Sequence, residues 1–238
     1  MDWTKAKTIL IIALIATNVF LIYSLLERHS DRGEMTNEEV ILQLMEQRNI
    51  ELEVDIPRLH PSLRIIQGEY LSVDREEIAA LAQRMPAATS DYEGVAEDFL
   101  EYLGILDDET VYEETELFED GDIDASVRFK NEVEGLQIAE NYIEVYFKDG
   151  RITDMNYHWL DDVEVSPRKI ETMSAAVALM SLVNQQPGAK MTITGIELVY
   201  WVPDTDMELG ETVSDTAFPT WEITLSSGEK KYVGAVQI

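Results

Sequence analysis

The sequence predicts an α+β protein: one N-terminal transmembrane helix followed by an extracellular domain of two helix-plus-antiparallel-sheet units. Three observations lead there. Thr8 to Leu26 is an apolar run with no charged residue and no proline. From about Thr110 the hydrophobic period changes from about 3.6 residues to two. A capped helix followed by strands that end in a hairpin occurs twice, once on each side of position 164.

Residues 1–7 read as a cytoplasmic tip and 8–26 as the membrane helix. Nineteen helical residues rise about 28 Å, close to the hydrocarbon thickness of a bilayer. Lys5 and Lys7 precede the run directly, whereas Glu27 and Arg28 after it roughly cancel. Positive charge stays inside, so the N-terminus faces the cytoplasm and the bulk of the chain lies outside the cell membrane. A cleaved signal peptide is the competing reading, but the run exceeds a normal signal core and no A-x-A-like site ends it. Ala13, Thr17 and Ser24 are small residues on roughly one helical face, with Asn18 adjacent. Small residues let two helices approach, and an amide in hydrocarbon seeks a partner across the interface. These four are the candidate partner-binding residues; the plainer reading is one tolerated Asn among incidental small residues.

Residues 27–35 form a polar juxtamembrane linker, and 36–88 an N-terminal helix/strand segment. Thr36-Asn37-Glu38-Glu39 is a capping box, and Val40, Ile41, Leu44 and Met45 continue it as a helix over about 37–48. Leu52, Val54 and Ile56 alternate with Glu51, Glu53 and Asp55, a half-buried strand closed by Pro57. Leu63 to Leu71 is a second strand. Asp74 with Glu77 caps a helix to about Arg84, which Pro86 stops. The first unit, 89–164, opens with a helix capped by Ser90 and Glu93 that ends at Gly104. Its strands are Thr110 to Phe118, Ala125 to Asn131, Ile138 to Lys148 and Arg151 to Leu160. Asp149-Gly150 joins the last two as a hairpin. In the second unit, 165–238, Ser166-Pro167 reads as an N-cap with proline at N1, opening a helix to about Gln185. Strands Met191 to Trp201, Thr220 to Ser226 and Lys230 to Ile238 follow, with a turn at Ser227-Gly228.

Charge and composition narrow the function. The chain has 238 residues, 45% of them hydrophobic, which is enough to bury a core. Its net charge is −29: the residues beyond the span carry −30, and the tip carries +1. Nucleic acid is excluded as a partner, since binding a phosphate backbone needs a basic surface. Without cysteine there is no disulfide, thiol catalysis or Cys-ligated metal.

Sites for chemistry are sparse, and no cofactor or catalytic residue is assigned. His29, His60 and His158 stand apart in the sequence, with no H-E-x-x-H and no G-x-S-x-G motif. Asp120-Gly121-Asp122-Ile123-Asp124 resembles the start of a calcium loop. It has Ala125 where glycine is needed and Asn131 in place of the bidentate glutamate, so a solvated acidic turn is the simpler reading. Asp107-Asp108-Glu109 and Asp161-Asp162 are paired acids of a kind that glycosidases use, but carboxylates are everywhere in this chain. Tyr142, Tyr146, Tyr157, Trp159, Trp201 and Trp221 fall on strands, where core packing accounts for most of them.

Met1-Asp2-Trp3, Lys5 to Leu10 and Asn18-Val19-Phe20-Leu21 resemble the opening of the YycI family: M-[DN]-W, then K-T-[IL], then N-x-x-L in the span. These are single-pass auxiliary proteins of the YycH/YycI group. The resemblance implies a non-catalytic regulator of an essential WalK/YycG-like sensor histidine kinase controlling cell-wall metabolism. It would act with a YycH-like partner through transmembrane helix contacts. The alternative is an anchored extracellular binding module or inhibitor acting on a wall enzyme or ligand.

Overall fold

The computed structural model describes residues 37–88, 90–119, 121–185, 190–203 and 215–236. The expected span 8–26, with Ala13, Thr17, Asn18 and Ser24, lies outside the described residues, as does His29. Among the described residues no helix is long and apolar enough to cross a membrane. The chain divides into two compact units, Met1–Gln47 and Arg48–Ile238. The described part of the first is essentially one helix, α1 (Asn37–Arg48), over the range that the capping box predicts.

The second unit confirms the α+β class. In chain order it contains β1 (Ile50–Leu52), β2 (Ser62–Tyr70), α2 (Arg75–Ala82), α3 (Tyr92–Tyr102), β3 (Thr110–Leu117), β4 (Ala125–Val133), β5 (Leu136–Lys148), β6 (Arg151–His158), β7 (Leu160–Glu171), α4 (Ala175–Gln185), β8 (Met191–Trp201), β9 (Asp215–Leu225) and β10 (Lys230–Gly234). The strands form one linked sheet in the order β3-β4-β5-β8-β9-β2-β7, with β1 on β8, β10 on β9 and β6 on β5.

Strands β3 to β6 make an antiparallel meander. The hairpin turns Glu134-Gly135 and Asp149-Gly150 both have positive φ at each central residue, the I′ geometry that matches strand twist. One face carries Val127, Phe129, Ile143, Val145 and Phe147, and α2 and α3 cover it with Ile78, Phe99 and Leu100. Asp74 caps α2 by accepting the Glu76 N–H at 2.9 Å. The cap of α3 is Asp91, not Ser90: its carboxylate accepts the Gly94 N–H at 3.0 Å. Strands β8, β9 and β10 form a second antiparallel set beside α4. The two sets meet at a parallel bridge, Ile138 to Tyr200.

Two further local expectations are corrected. The alternation from Glu51 to Ile56 persists in burial, but the strand stops at Leu52, and β1 runs parallel to β8 with a last hydrogen bond from Glu53 N–H to Ile193 O at 2.9 Å. Ser166-Pro167 opens no helix. Both residues lie in β7, which pairs with β2 and crosses position 164, and α4 starts only at Ala175. The cause is position: β7 ends the strand order, and its pairing slips between Lys169 opposite Arg64 and Val165 opposite Ile66. A proline without an N–H fits a bulge on an edge strand. Pro219 lies within β9 between its pairing with β2 (through Ala217) and with β10 (from Thr220).

Candidate interaction surface

Three features of the second unit carry unusual side-chain arrangements: a junction at Leu160, an acidic groove beside it and the face of the meander turned away from α2 and α3. At the junction the chain leaves β6, paired with β5, and enters β7, paired with β2. Leu160 is held by two buried asparagines from neighbouring strands. Asn141 accepts its N–H at 2.6 Å, and Asn131 donates to its carbonyl at 2.9 Å. Side-chain amides thus replace a ladder partner where the main chain changes neighbours. Asn131 Oδ1, Asn141 Nδ2 and the Trp159 indole N–H are buried around it without a hydrogen-bond partner among the described residues.

The acidic groove has a volume of ≈ 810 Å³ and is lined by Glu69, Asp107, Glu109, Asp161, Asp162 and Glu164, with Gly68 among its walls. The structure therefore brings together the two acidic runs singled out in the sequence. Gly68 sits where a Cβ would lie 2.7 Å from the Asp161 carbonyl and 2.8 Å from Leu160 Cγ. Asp107 is engaged in its own turn, accepting from the N–H of Glu109 (3.0 Å) and of Thr110 (2.9 Å) and from the Thr110 hydroxyl (2.7 Å). Burial, then the charges of Asp107, Asp108 and Asp161, hold the Glu109 carboxyl above the usual carboxylate range. Burial also raises Asp161; the Asp162 main-chain N–H opposes that shift, and the charges of Asp162 and Asp107 reinforce it. Among the described residues no group of three or more His, Cys or carboxylate side chains is arranged to hold a metal ion.

The face of the meander turned away from α2 and α3 is polar and aromatic. Arg128 on β4 stands opposite Glu144 on β5, which stands opposite Asn156 on β6. The Arg128 guanidinium lies 4.2 Å from the Tyr142 ring centre and contacts Glu113 at 3.1 Å and Glu144 at 3.5 Å. Tyr146 donates to Glu144 at 2.9 Å, and burial, then Glu144, raise its phenol. Tyr142 and Tyr146 thus belong to this face. Tyr157 packs toward the helices, and Trp159, which lies between β6 and β7, and Trp221 are buried. Trp201 stacks on Tyr232, centroids 5.0 Å apart and 8° from parallel. His158 lies 4.5 Å from the Tyr70 ring, and His60 is exposed.

The calcium-like stretch is tied by an ammonium group. Lys148 Nζ donates to the Gly121 carbonyl at 2.8 Å and to Asp124 Oδ1 at 3.1 Å, and the Asp149 N–H donates to the other Asp124 oxygen. Those bonds, the Asp149 N–H first, hold the Asp124 carboxyl below its ordinary range. Asp120 lies outside the described residues. The asparagine pair at Leu160 was not foreseen: single asparagines on strands carry no local signal of what they will hold.

Comparison with curated proteins gives no match. A family model described as YycI protein matches residues 31–237. That range excludes the opening motif that resembles the same family, so two separate parts of the chain point one way. The chain belongs to the YycI family.

Proposed function

We propose that this YycI-family chain is a non-catalytic, single-pass membrane regulator of a WalK/YycG-like sensor histidine kinase, working with a YycH-like partner. Family membership links it to regulation of that kinase system. The observation that carries the finer reading is the coexistence of the 31–237 family match with the uncharged run Thr8 to Leu26. In this reading the helix face bearing Ala13, Thr17, Asn18 and Ser24 contacts the kinase span. A bound helix acts by its differential affinity for two kinase states. One interhelical contact worth about 1 kcal/mol changes their ratio roughly fivefold. The test is coexpression of the kinase with Ala13→Leu and Asn18→Leu variants in membranes. Reduced co-purification and altered kinase output are expected; if both variants behave as wild type, the helix-contact mechanism is wrong.

The polar, aromatic face of the meander favours a second reading, an anchored binding module acting through the ectodomain. A fragment lacking residues 1–28 separates the two. Full regulatory activity without the span supports the module, whereas its loss supports the helix contact.

A further inference from the structure

β3 stands at one end of the strand order, and among the described residues it pairs only with β4. The other end, β7, is protected by Pro167 and a bulge. β3 has no proline; its own bulge lies between Tyr112 and Glu114, and beyond it the register is continuous from Glu114 to Leu117. An unpaired row of main-chain donors and acceptors is a template for another strand.

Its two faces differ. Glu114 and Glu116 lie opposite Arg128 and Ser126 on the face turned away from α2 and α3. Both glutamates are exposed, and neither has an ion-pair partner among the described residues. Thr115 and Leu117 lie opposite Val127 and Ala125 on the helix side. Leu117 is 67% exposed there, a large apolar side chain left in water. Beside it is a cavity of ≈ 360 Å³ between β3 and the start of α3, lined by Ser90, Asp91, Tyr92, Glu93, Thr115 and Leu117. Tyr92 is fixed edge-on against Phe147, centroids 5.1 Å apart.

We infer that the outer edge of β3 accepts an extended segment of a basic partner protein, with Lys or Arg alternating with apolar residues. Strand periodicity turns alternate side chains to opposite faces. The cationic residues then meet Glu114 and Glu116, and an apolar residue covers Leu117 and enters the cavity. A second copy of this chain is a poor occupant. Antiparallel pairing of β3 with itself sets glutamates against glutamates, and like charges directly opposite destabilise a pair. The net charge of −29 acts in the same direction.

The test uses the full chain in micelles of an uncharged detergent and two labelled nine-residue peptides of equal composition. One alternates lysine with valine; the other carries its lysines and valines in separate blocks. Fluorescence anisotropy is expected to show at least tenfold tighter binding of the alternating peptide. The double variant Glu114→Lys/Glu116→Lys and the single Leu117→Asp are each expected to remove that preference. Circular dichroism reports whether the variants fold, and amide exchange in the wild type gives a readout independent of them: protection on peptide addition should appear at 110–117. Equal binding of the two peptides, or protection elsewhere than β3, overturns the inference. So does self-association of the wild type, by sedimentation, that the double variant abolishes, since a second copy would then be the occupant. Kinase output plays no part in these readings, so they stand or fall apart from the helix-contact mechanism.

Discussion

Gly150 closes the β5–β6 hairpin at φ +70, with its carbonyl accepting the Ala88 N–H at 2.7 Å. A Cβ there would lie 2.3 Å from the Ala88 carbonyl oxygen. Gly150→Ala therefore combines left-handed strain with a main-chain clash, and is expected to cost about 2–4 kcal/mol in thermal or urea unfolding. The Leu160 junction makes a different prediction. Asn131→Ala and Asn141→Ala each strand a buried main-chain group, at about 1–3 kcal/mol. Both hold the same residue, so the double variant should differ from the sum of the two, which a double-mutant cycle in urea measures. The Asp149-Gly150 turn was legible because its residue types dictate positive φ. The asparagines were not, because their partner comes from a strand remote from both in local sequence.

At the scale of elements, local signals located most strands and helices to within a few residues, since caps and period act within one element. They failed at Ser166-Pro167, where the same dipeptide that starts a helix also suits a bulge on an edge strand. The choice is made by where β7 lies in the sheet, which no nearby residue encodes. Ser166→Ala is accordingly expected to change stability by no more than about 0.5 kcal/mol. A helix cap at that site would cost about 1 kcal/mol. A urea titration of the variant discriminates between them. Neighbours distant in sequence, such as β1 beside β8 and β2 between β9 and β7, were equally beyond reach of a reading based on local pattern.

Across the whole molecule, excess acid is a burden that the groove concentrates. Glu109 and Asp161 have folded pKa values raised above their ordinary 4.5 and 3.8. A raised carboxyl favours the folded state while it is protonated, and that contribution is lost as pH rises through the folded value. Glu109→Gln and Asp161→Asn are therefore expected to raise the urea midpoint at about pH 7, and the gain should shrink below about pH 4. Asp124 works in the opposite sense: its lowered value favours the folded state above its ordinary 3.8, and the benefit disappears as pH falls through the folded value. Asp124→Asn should therefore lose stability at neutral pH and little in acid. The acidity was plain in the sequence; its convergence on one groove required the fold.

The asparagine hold on Leu160 also bears on the order of assembly. Asn131 and Asn141 belong to the meander, a run of sequential strands with short turns that closes quickly. Tyr70 pairs with Leu160 across about ninety residues of chain, and that loop is slow to close on its own. The meander is therefore expected to form first and to capture Leu160 at the first residue of β7, setting the strand's register before β2 pairs. Stopped-flow refolding of Asn131→Ala should then show a slower folding limb with the unfolding limb little changed, the mark of a contact made before the rate-limiting step.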